Sequence, residues 1–288
     1  MRVPFVKMDA AGNDYVYFVG IHQSLPDLDW SRLSRWLANR HTGIGSDGII
    51  LAERSEHGDA TMRIFNADGS EGDMCGNGIR CLGAYLWTQG LVPQPDMNLH
   101  TRSGMVAVRV DGSSHPLRVR AQMPPPRFER QDIPFTGTDR QSPQAAYLPI
   151  GRFRFPVFAL AVGNPNCVLF VRDVDGLDLD TIGPIFEHHP WFPQRTNVLF
   201  AQRVDSQGLR VGVWERGSGP TLACGTGASA AAVAAVSKGH CVSPVRVQMP
   251  GGTLEIEWDQ GENLYLSGPV HERFRGSVEI PMEFCRSQ

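Results

Sequence analysis

The sequence predicts an α/β protein of two similar domains, each a mixed, barrel-like sheet around a central helix. Three observations carry this prediction: the length, a set of repeated motifs and the alternation of apolar residues. The chain has 288 residues, and at roughly 150 residues per domain this length suggests about two domains. Gly and Pro, with 31 and 21 residues, exceed ordinary usage without reaching low complexity. We therefore expect a folded protein that is rich in loops.

Charge and hydropathy exclude several classes of partner. The chain carries 27 Lys and Arg against 30 Asp and Glu, a net charge of −3, so it lacks the basic field that nucleic acid binding needs. Lys7 and Asp9 interrupt the N-terminus before any apolar run long enough for a secretion signal. The most apolar helical stretch, 228–236, is far below the ~20 residues that span a bilayer. We expect a cytoplasmic protein that binds neither nucleic acid nor a membrane.

The cysteines and histidines indicate neither a disulfide framework nor a metal site. Six cysteines occur without CxxC spacing, which in a chain of this length favours reduced thiols. The nine histidines are scattered, and His188 and His189 lie beside Pro190 and Trp191. We expect no metal ligands and no cofactor.

Two motifs occur once in each half of the chain, which indicates an internal repeat. Cys75-Gly76-Asn77-Gly78 and Cys224-Gly225-Thr226-Gly227 are 149 positions apart, while Gly12-Asn13-Asp14 and Gly163-Asn164-Pro165 are 151 apart. In both halves a glycine follows the cysteine by 15 positions and ends an apolar stretch. Because three landmarks recur in register, we expect a duplicated domain.

Apolar periodicity supports the duplication. Strand-like alternation bounded by Gly, Asp or Asn is typical of half-buried strands, and it occurs at 14–19, 60–65, 105–110, 157–162, 209–214 and 253–258. The stretches after Cys75 and Cys224 are apolar or small on every side, which is typical of buried helices. Each half is therefore predicted to wrap its strands around one helix.

Three prolines at 124–126 break the pattern near the middle of the chain and indicate a linker. We predict an N-terminal domain over 1–123, completed by a final strand within 271–288, and a C-terminal domain over 124–270.

Cys75 and Cys224 each lie at the predicted start of a buried helix. Unpaired N–H groups and a partial positive charge at a helix start lower the pKa of a thiol and can hold a carboxylate. If two such domains face each other, their thiols lie on opposite sides of a shared cleft. An opposed acid and base are what inversion of a carbon centre requires. The sequence therefore predicts a racemase or epimerase with its active site in the inter-domain cleft.

Longer motifs give the chain a family resemblance. Those that carry it are Lys7-Met8, Gly12-Asn13-Asp14-Tyr15, Arg40 with Gly43-Ile44-Gly45 and Asp47-Gly48, residues 62–71, Met74 with the first Cys-Gly-x-Gly motif, Gly163-Asn164-Pro165, Asn197, Glu215-Arg216-Gly217 and the second Cys-Gly-x-Gly motif. Over nearly its whole length the chain resembles the diaminopimelate epimerases, cofactor-independent enzymes of lysine and cell-wall precursor synthesis. The resemblance implies interconversion of L,L- and meso-diaminopimelate, the epimerase fold and a homodimer.

The resemblance also implies roles for individual residues. Cys75 and Cys224 would be the acid/base pair, one for each stereochemistry. Arg216 would pair with the distal carboxylate of the substrate, for which a planar guanidinium is suited, and Glu215 would accept from an amino group. The remaining substrate-binding residues would be Asn13, Asn66, Asn164 and Asn197, with Gly76, Asn77, Gly225 and Thr226 as donors to the α-carboxylate.

One position departs from the family. The family commonly has histidine two residues after the Gly-Asn-Pro asparagine, where this chain has Asn166. Since an amide takes up no proton at neutral pH, an imidazole that tunes Cys75 is not expected here. The other four cysteines, Cys81, Cys167, Cys241 and Cys285, lack a helix-start context and are predicted to be structural.

Two other functions remain open. A proline or hydroxyproline racemase shares the architecture and the use of two thiols as acid and base. Arg216 and the asparagines favour a longer substrate with two charged ends. A non-enzymatic ligand-binding or thiol-redox protein is the alternative from another class. It lacks a resolving cysteine in CxxC spacing, although Cys81 could serve in principle.

Overall fold

The computed structural model describes residues 1–137 and 142–286. The chain forms two compact units. The first unit comprises Met1–Ala121 and the chain from Gly268 onwards, and the second comprises Gln122–Ser267.

Strands outnumber helices in both units. The strands are β1 (Arg2–Ala10), β2 (Asn13–Gly20), β3 (Gly48–Glu53), β4 (Ala60–Asn66), β5 (Glu71–Gly72), β6 (Asp96–Thr101), β7 (Gly104–Asp111), β8 (Arg118–Met123), β9 (Ala146–Ile150), β10 (Phe153–Ala161), β11 (Pro165–Val171), β12 (Asn197–Asp205), β13 (Gly208–Glu215), β14 (Gly219–Pro220), β15 (Val245–Met249), β16 (Gly252–Trp258), β17 (Leu264–Pro269) and β18 (His271–Glu279). The helices are α1 (Trp30–Ala38), α2 (Gly76–Thr88), α3 (Leu179–Glu187) and α4 (Gly225–Ser237). Single 3₁₀ turns occupy Pro143–Ala145 and Met282–Phe284.

The first unit is a mixed sheet in the order β18, β1, β2, β3, β4, β6, β7, β8. Neighbours are antiparallel except β2–β3 and β4–β6, which are parallel. Parallel neighbours need a crossover connection, and α1 and α2 lie in these two crossovers. The short β5 pairs with β4 directly before α2. The chain therefore passes from β4 to the parallel strand β6 through α2.

The second unit repeats this topology strand for strand. Its order is β9, β10, β11, β12, β13, β15, β16, β17. The parallel pairs are β11–β12 and β13–β15, with α3 and α4 in the crossovers and β14 paired to β13. The equivalence confirms the predicted class, two pseudo-symmetric domains of mixed sheet.

Each sheet curves around its second helix. In the first unit α2 packs against β1, β2, β6 and β7, and inward-facing residues of seven strands join Ile79, Leu82 and Leu86 of the helix in one core. In the second unit α4 packs against β10, β11, β12, β13, β15 and β16. Because α4 is mostly Ala and Val, the strands can approach it closely from several sides. The central helices confirm the interpretation of the two apolar stretches.

The outer helices α1 and α3 cover the opposite faces of the sheets and were not predicted. α1 packs on β3 and β4, and α3 on β12, β13 and β14. Asp29 and Asp178 cap them, accepting hydrogen bonds from the backbone N–H groups of Arg32 and Thr181. Within the described part of the chain, none of the helices has the length and apolar character that a membrane crossing requires.

Candidate active site

Cys75 lies between β5 and α2 and is the N-cap residue of this central helix. Its extended backbone (φ −130°, ψ 117°) turns the side chain back over the first turn. The sulfur accepts from the N–H of Gly78 at 3.4 Å, and the thiol donates to Oδ1 of Asn13 at 3.3 Å. The sulfur is thus held between a donor on the helix and an acceptor on β2.

Cys224 occupies the equivalent position before α4. Its backbone angles (φ −128°, ψ 116°) nearly equal those of Cys75, and its sulfur accepts from the N–H of Gly227 at 3.4 Å. The hydroxyl of Thr226 lies 3.3 Å from the sulfur, and either group can donate. The two cysteines therefore share one backbone geometry, with the Asn13 amide and the Tyr15 hydroxyl beside Cys75 and the Thr226 hydroxyl beside Cys224.

The outer helices α1 and α3 and the inner helices α2 and α4 have different N-cap residues. Asp29 and Asp178, which cap the outer helices, are among the strongest N-cap residues, whereas both inner helices begin with cysteine. Sulfur is a weak acceptor, so it is a poor choice where only helix stability matters. A cysteine at both inner caps therefore indicates chemistry of the thiol.

The first turn of each inner helix offers backbone donors. N–H groups at a helix start have no carbonyl partner within the helix. In α2 the N–H groups of Gly78 and Ile79 bond to Cys75, which leaves those of Gly76 and Asn77 as donors to an anion. Gly225 and Thr226 hold the same positions in α4. Each helix start can therefore bind one carboxylate oxygen or more.

The side chain of Asn77 is committed to the protein itself. Its Oδ1 accepts from Nη2 of Arg80 at 2.7 Å. Arg80 is fully buried and also donates to the carbonyls of Gly76 at 3.2 Å and Pro269 at 3.3 Å. Burial lowers the pKa of Arg80 below its usual value. Sequence reasoning missed this residue, although a lone arginine within an apolar helix is itself a signal of a buried hydrogen-bonded role.

Asn13 connects Cys75 to a group of charges. Its Nδ2 donates to Oδ2 of Asp47 at 2.6 Å, the oxygen that also accepts from the backbone N–H of Asp14 at 3.0 Å. The other carboxylate oxygen of Asp47 lies 2.8 Å from Nη2 of Arg40. A hydrogen-bonded chain thus runs from Arg40 through Asp47 and Asn13 to the thiol.

Asp14 anchors the same group to β1. Its carboxylate pairs with Nζ of Lys7 at 2.6 Å and with Nη2 of Arg40 at 2.7 Å. Burial pushes the pKa of Asp14 upwards, but the hydrogen bonds from Arg40 and Lys7 outweigh burial and hold it below its usual value. The carboxylate is therefore charged at neutral pH and fixes the loop that carries Asp47.

The predicted asparagines of the second unit form a chain through Asn166. Asn166 is fully buried and donates to Asn164, to the carbonyl O at 2.7 Å and to Oδ1 at 3.1 Å. It accepts from Nδ2 of Asn197 at 3.2 Å, and Oδ1 of Asn197 accepts from the N–H of Arg216 at 2.9 Å. Asn166 thus joins Asn164, Asn197 and the backbone of Arg216. In the first unit Asn66 is the last residue of β4, and its side chain donates to Oγ of Ser70 at 2.9 Å.

Glu215 and Arg216 lie at the end of β13, at the turn into β14. The carboxylate of Glu215 accepts from the hydroxyl of Thr221, and Nη1 of Arg216 donates to the carbonyl of Gln194 at 3.1 Å. These bonds leave further donors on the Arg216 guanidinium, which has five N–H groups. The side chain can therefore bind a carboxylate while it stays attached to the protein.

Glu187, at the end of α3, fixes this turn and was not predicted. Its side chain is 3 % exposed and accepts from the indole N–H of Trp214 at 2.6 Å, the backbone N–H of Gly217 at 3.0 Å and Nη1 of Arg195 at 3.2 Å. A buried carboxylate with three donors is well satisfied. Glu187 therefore holds both sides of the turn that carries Arg216.

The substitution Glu187→Ala is expected to lower the free energy of unfolding by roughly 2–4 kcal/mol, because it leaves the part-buried N–H groups of Trp214 and Gly217 and a partly exposed guanidinium without their acceptor. Urea unfolding followed by circular dichroism measures the loss. Asp180→Ala is the matched control, since Asp180 is an exposed acid in the first turn of the same helix and is worth less than about 1 kcal/mol. Equal losses in the two variants would contradict the role given to Glu187.

Three of the other four thiols lie in environments that suppress reactivity. Burial raises the pKa of Cys81 to about 12 and also raises the pKa of Cys167 and of Cys241. Thiols in this state are poor nucleophiles and bases. Within 1–137 and 142–286, no group of three or more His, Cys, Asp or Glu side chains is placed to hold a metal ion.

Sequence comparisons link the chain to one family. The family model described as diaminopimelate epimerase matches residues 5–129 and 158–272. A protein from Moorella thermoacetica named diaminopimelate epimerase is 42% identical over 278 residues, covering 96% of this chain and 99% of that protein. One of the same name from Desulforudis audaxviator is 44% identical over 276 residues, covering 94% and 98%.

Solved structures share the fold at low sequence identity. A phenazine biosynthesis protein of the PhzF family from Bacillus anthracis has a TM-score of 0.71 at 15% identity, covering 97% of this chain and 100% of that one. A probable proline racemase from Agrobacterium radiobacter K84 has a TM-score of 0.66 at 15% identity, covering 97% and 93%. These likenesses support the predicted architecture.

Proposed function

The chain belongs to the diaminopimelate epimerase family, and from this premise we propose that it interconverts L,L- and meso-diaminopimelate in lysine and cell-wall precursor biosynthesis. The single observation that supports the proposal most directly is the pair of cysteine caps. Cys75 and Cys224 begin equivalent helices with the same backbone angles and the same N–H···S hydrogen bond. Two such thiols supply the acid and the base that inversion of one carbon needs.

The reaction exchanges one proton and leaves the oxidation state of the substrate unchanged. One cysteine, as thiolate, takes the α-proton from one face, and the other, as thiol, delivers its proton to the opposite face. The pair of electrons from the broken C–H bond is held in between as a carbanion-like centre beside the α-carboxylate. Backbone N–H groups of Gly76 and Asn77 or of Gly225 and Thr226 stabilise the charge on that carboxylate. The mechanism needs no cofactor.

The other predicted residues would recognise the rest of the substrate. Arg216 pairs with the distal carboxylate and Glu215 accepts from an amino group. Asn13, Asn66, Asn164 and Asn197 complete the substrate-binding residues. This assignment is supported by the chain of hydrogen bonds that joins Asn164, Asn197 and the backbone of Arg216. The resemblance further implies a homodimer in the cytoplasm, and light scattering of the purified protein tests the dimer.

The activity is tested by incubating the purified protein with L,L-diaminopimelate in deuterated water. We expect formation of the meso isomer with deuterium at the inverted α-carbon, because the proton that is delivered comes from a thiol that exchanges with solvent. L-Proline is the control substrate, and it should remain unlabelled. Labelling of proline with no turnover of diaminopimelate would replace the proposal by a proline racemase, and labelling of neither would reject epimerase activity.

A further inference from the structure

Glu187 joins the two backbone segments that flank Arg216. Its Oε1 accepts from the N–H of Gly217 at 3.0 Å, in the turn that follows β13, and from Nη1 of Arg195 at 3.2 Å, two residues before β12. Its Oε2 accepts from the indole N–H of Trp214 at 2.6 Å, on β13 itself. One buried carboxylate thus ties both segments to the end of α3.

Arg195 has a backbone conformation that residues with a side chain seldom adopt. Its φ is +60°, in the left-handed region that disfavours residues other than glycine. Two hydrogen bonds hold it there, because its N–H donates to the carbonyl of Phe192 at 2.8 Å and its guanidinium donates to Glu187. Since φ sets the direction of the preceding peptide, the conformation of Arg195 directs the carbonyl of Gln194.

The carbonyl of Gln194 holds the guanidinium of Arg216. It accepts from Nη1 at 3.1 Å, while Oδ1 of Asn197 accepts from the backbone N–H of Arg216 at 2.9 Å. Across 1–137 and 142–286, Arg216 forms no ion pair with an acidic side chain, whereas the charge of Arg195 is paired with Glu187. Arg216 is therefore oriented by a neutral carbonyl, and its charge can pair with an anionic ligand.

Resting on the proposed function, in which Arg216 binds the distal carboxylate of diaminopimelate, we propose that Glu187 is a positioning residue for selection of the substrate. Through Arg195 and Gly217, it gives the Arg216 guanidinium one direction. Bidentate pairing of a guanidinium with a carboxylate depends on that direction. The chain then selects an amino acid with a second carboxylate at the far end over one that lacks it.

The test compares diaminopimelate with L-lysine, which has the same two amino groups and lacks the distal carboxylate. KM for L,L-diaminopimelate and the inhibition constant of L-lysine are measured for the full native chain and for Glu187→Gln. Glutamine keeps the volume of the side chain and removes its charge and one of its two acceptor oxygens. We expect KM to rise about tenfold, because a misdirected group loses binding of the substrate. The inhibition constant of lysine should stay near the native value.

This comparison separates positioning from a general structural effect. Loosening of the whole site would raise KM and the inhibition constant of lysine together. Loss of folded protein would lower the apparent kcat and leave KM unchanged. Either result would overturn the proposal.

A double-mutant cycle tests whether Glu187 acts through Arg216. Arg216→Lys keeps a cation and removes the planar fork whose direction matters. In that background we expect Glu187→Gln to change KM by less than about twofold, since residues that act together have non-additive effects. Fully additive effects would show that Glu187 acts independently of Arg216 and would contradict the proposal. If Arg216→Lys turns over too slowly for KM, the comparison with lysine decides alone.

Asp175→Asn is the matched control. It makes the same change from carboxylate to amide in an ion pair of the same unit, with Arg210, where both side chains are exposed. Its KM should equal that of the native chain. If Glu187→Gln does not fold, as judged by circular dichroism, Arg195→Met carries the test, because Arg195 is half-exposed and its loss leaves the Glu187 carboxylate in place. KM should again rise while the inhibition constant of lysine does not.

A failure of this inference is distinguishable from a failure of the proposed function. A native chain that does not convert diaminopimelate would reject the function and the role of Glu187 with it. An active native chain whose KM is unchanged in Glu187→Gln and Arg195→Met would reject the role of Glu187 alone.

Discussion

Replacing Cys75 or Cys224 by alanine is expected to lower kcat for the conversion of L,L- to meso-diaminopimelate by about 10²- to 10⁴-fold, the range that general acid–base groups contribute. Each thiol serves one face of the α-carbon, so neither can substitute for the other. Without one of them, the proton is either not removed or not delivered from the opposite side. KM should change much less than kcat, because the backbone donors at the helix starts remain. Chiral chromatography of the product measures the rates.

The matched controls for these variants are Cys241→Ala and Cys285→Ala. Both cysteines are free thiols, one in each unit, and neither is the N-cap residue of an α-helix. We expect kcat within about twofold of the native value, since neither thiol belongs to the proposed acid/base pair and cysteine to alanine is a small change in volume. Undiminished turnover in Cys75→Ala or Cys224→Ala would reject the two-thiol mechanism.

The second large effect is expected at Arg80. Arg80→Ala should lower the free energy of unfolding by roughly 2–5 kcal/mol, as for other large side chains deleted from a core. The substitution opens a cavity beside the start of α2 and leaves Oδ1 of the buried Asn77 without its donor. Urea unfolding followed by circular dichroism measures the change.

Arg80→Met separates volume from hydrogen bonding. Methionine fills most of the space and removes the cost of burying a charge, so we expect a smaller loss of stability than in Arg80→Ala. We also expect a lower kcat in both variants, because the first turn of α2 is no longer held from within. Equal stabilities of the two variants would contradict a packing role, and native kcat in both would contradict the positioning of Gly76 and Asn77.

What the sequence could predict follows from what repeats within it. The two Cys-Gly-x-Gly motifs and the glycines 15 residues after them define α2 and α4, and local alternation locates six strands. Helix α1 was missed because it is only nine residues long, too short for a clear period. Helix α3 was missed because Gly183 and Pro184 interrupt its pattern. The parallel strand pairs were also invisible, since no local signal reveals a crossover.

The supporting residues of the site depend on distant partners. Glu187 meets Trp214 and Gly217 across 27 and 30 positions, and Asp47 meets Asn13 across 34. Sequence spacing carries no information about such contacts, so these residues could not be predicted. Asn166 was recognised only as a departure from the family. Its hydrogen bonds to Asn164 and Asn197 give it a local structural role. An imidazole at this position would have to make different hydrogen bonds.

At the two cysteine caps, the residue that stabilises the helix best differs from the residue that catalysis needs. An oxygen-bearing side chain at position 75 or 224 would cap its helix better than sulfur does, so heat resistance and catalysis select opposite residues there. A library screened for survival of heating alone should accumulate serine, threonine or aspartate at both positions and yield sturdy, inactive proteins. A screen for thermally stable variants of this chain therefore has to assay activity as well as survival of heating.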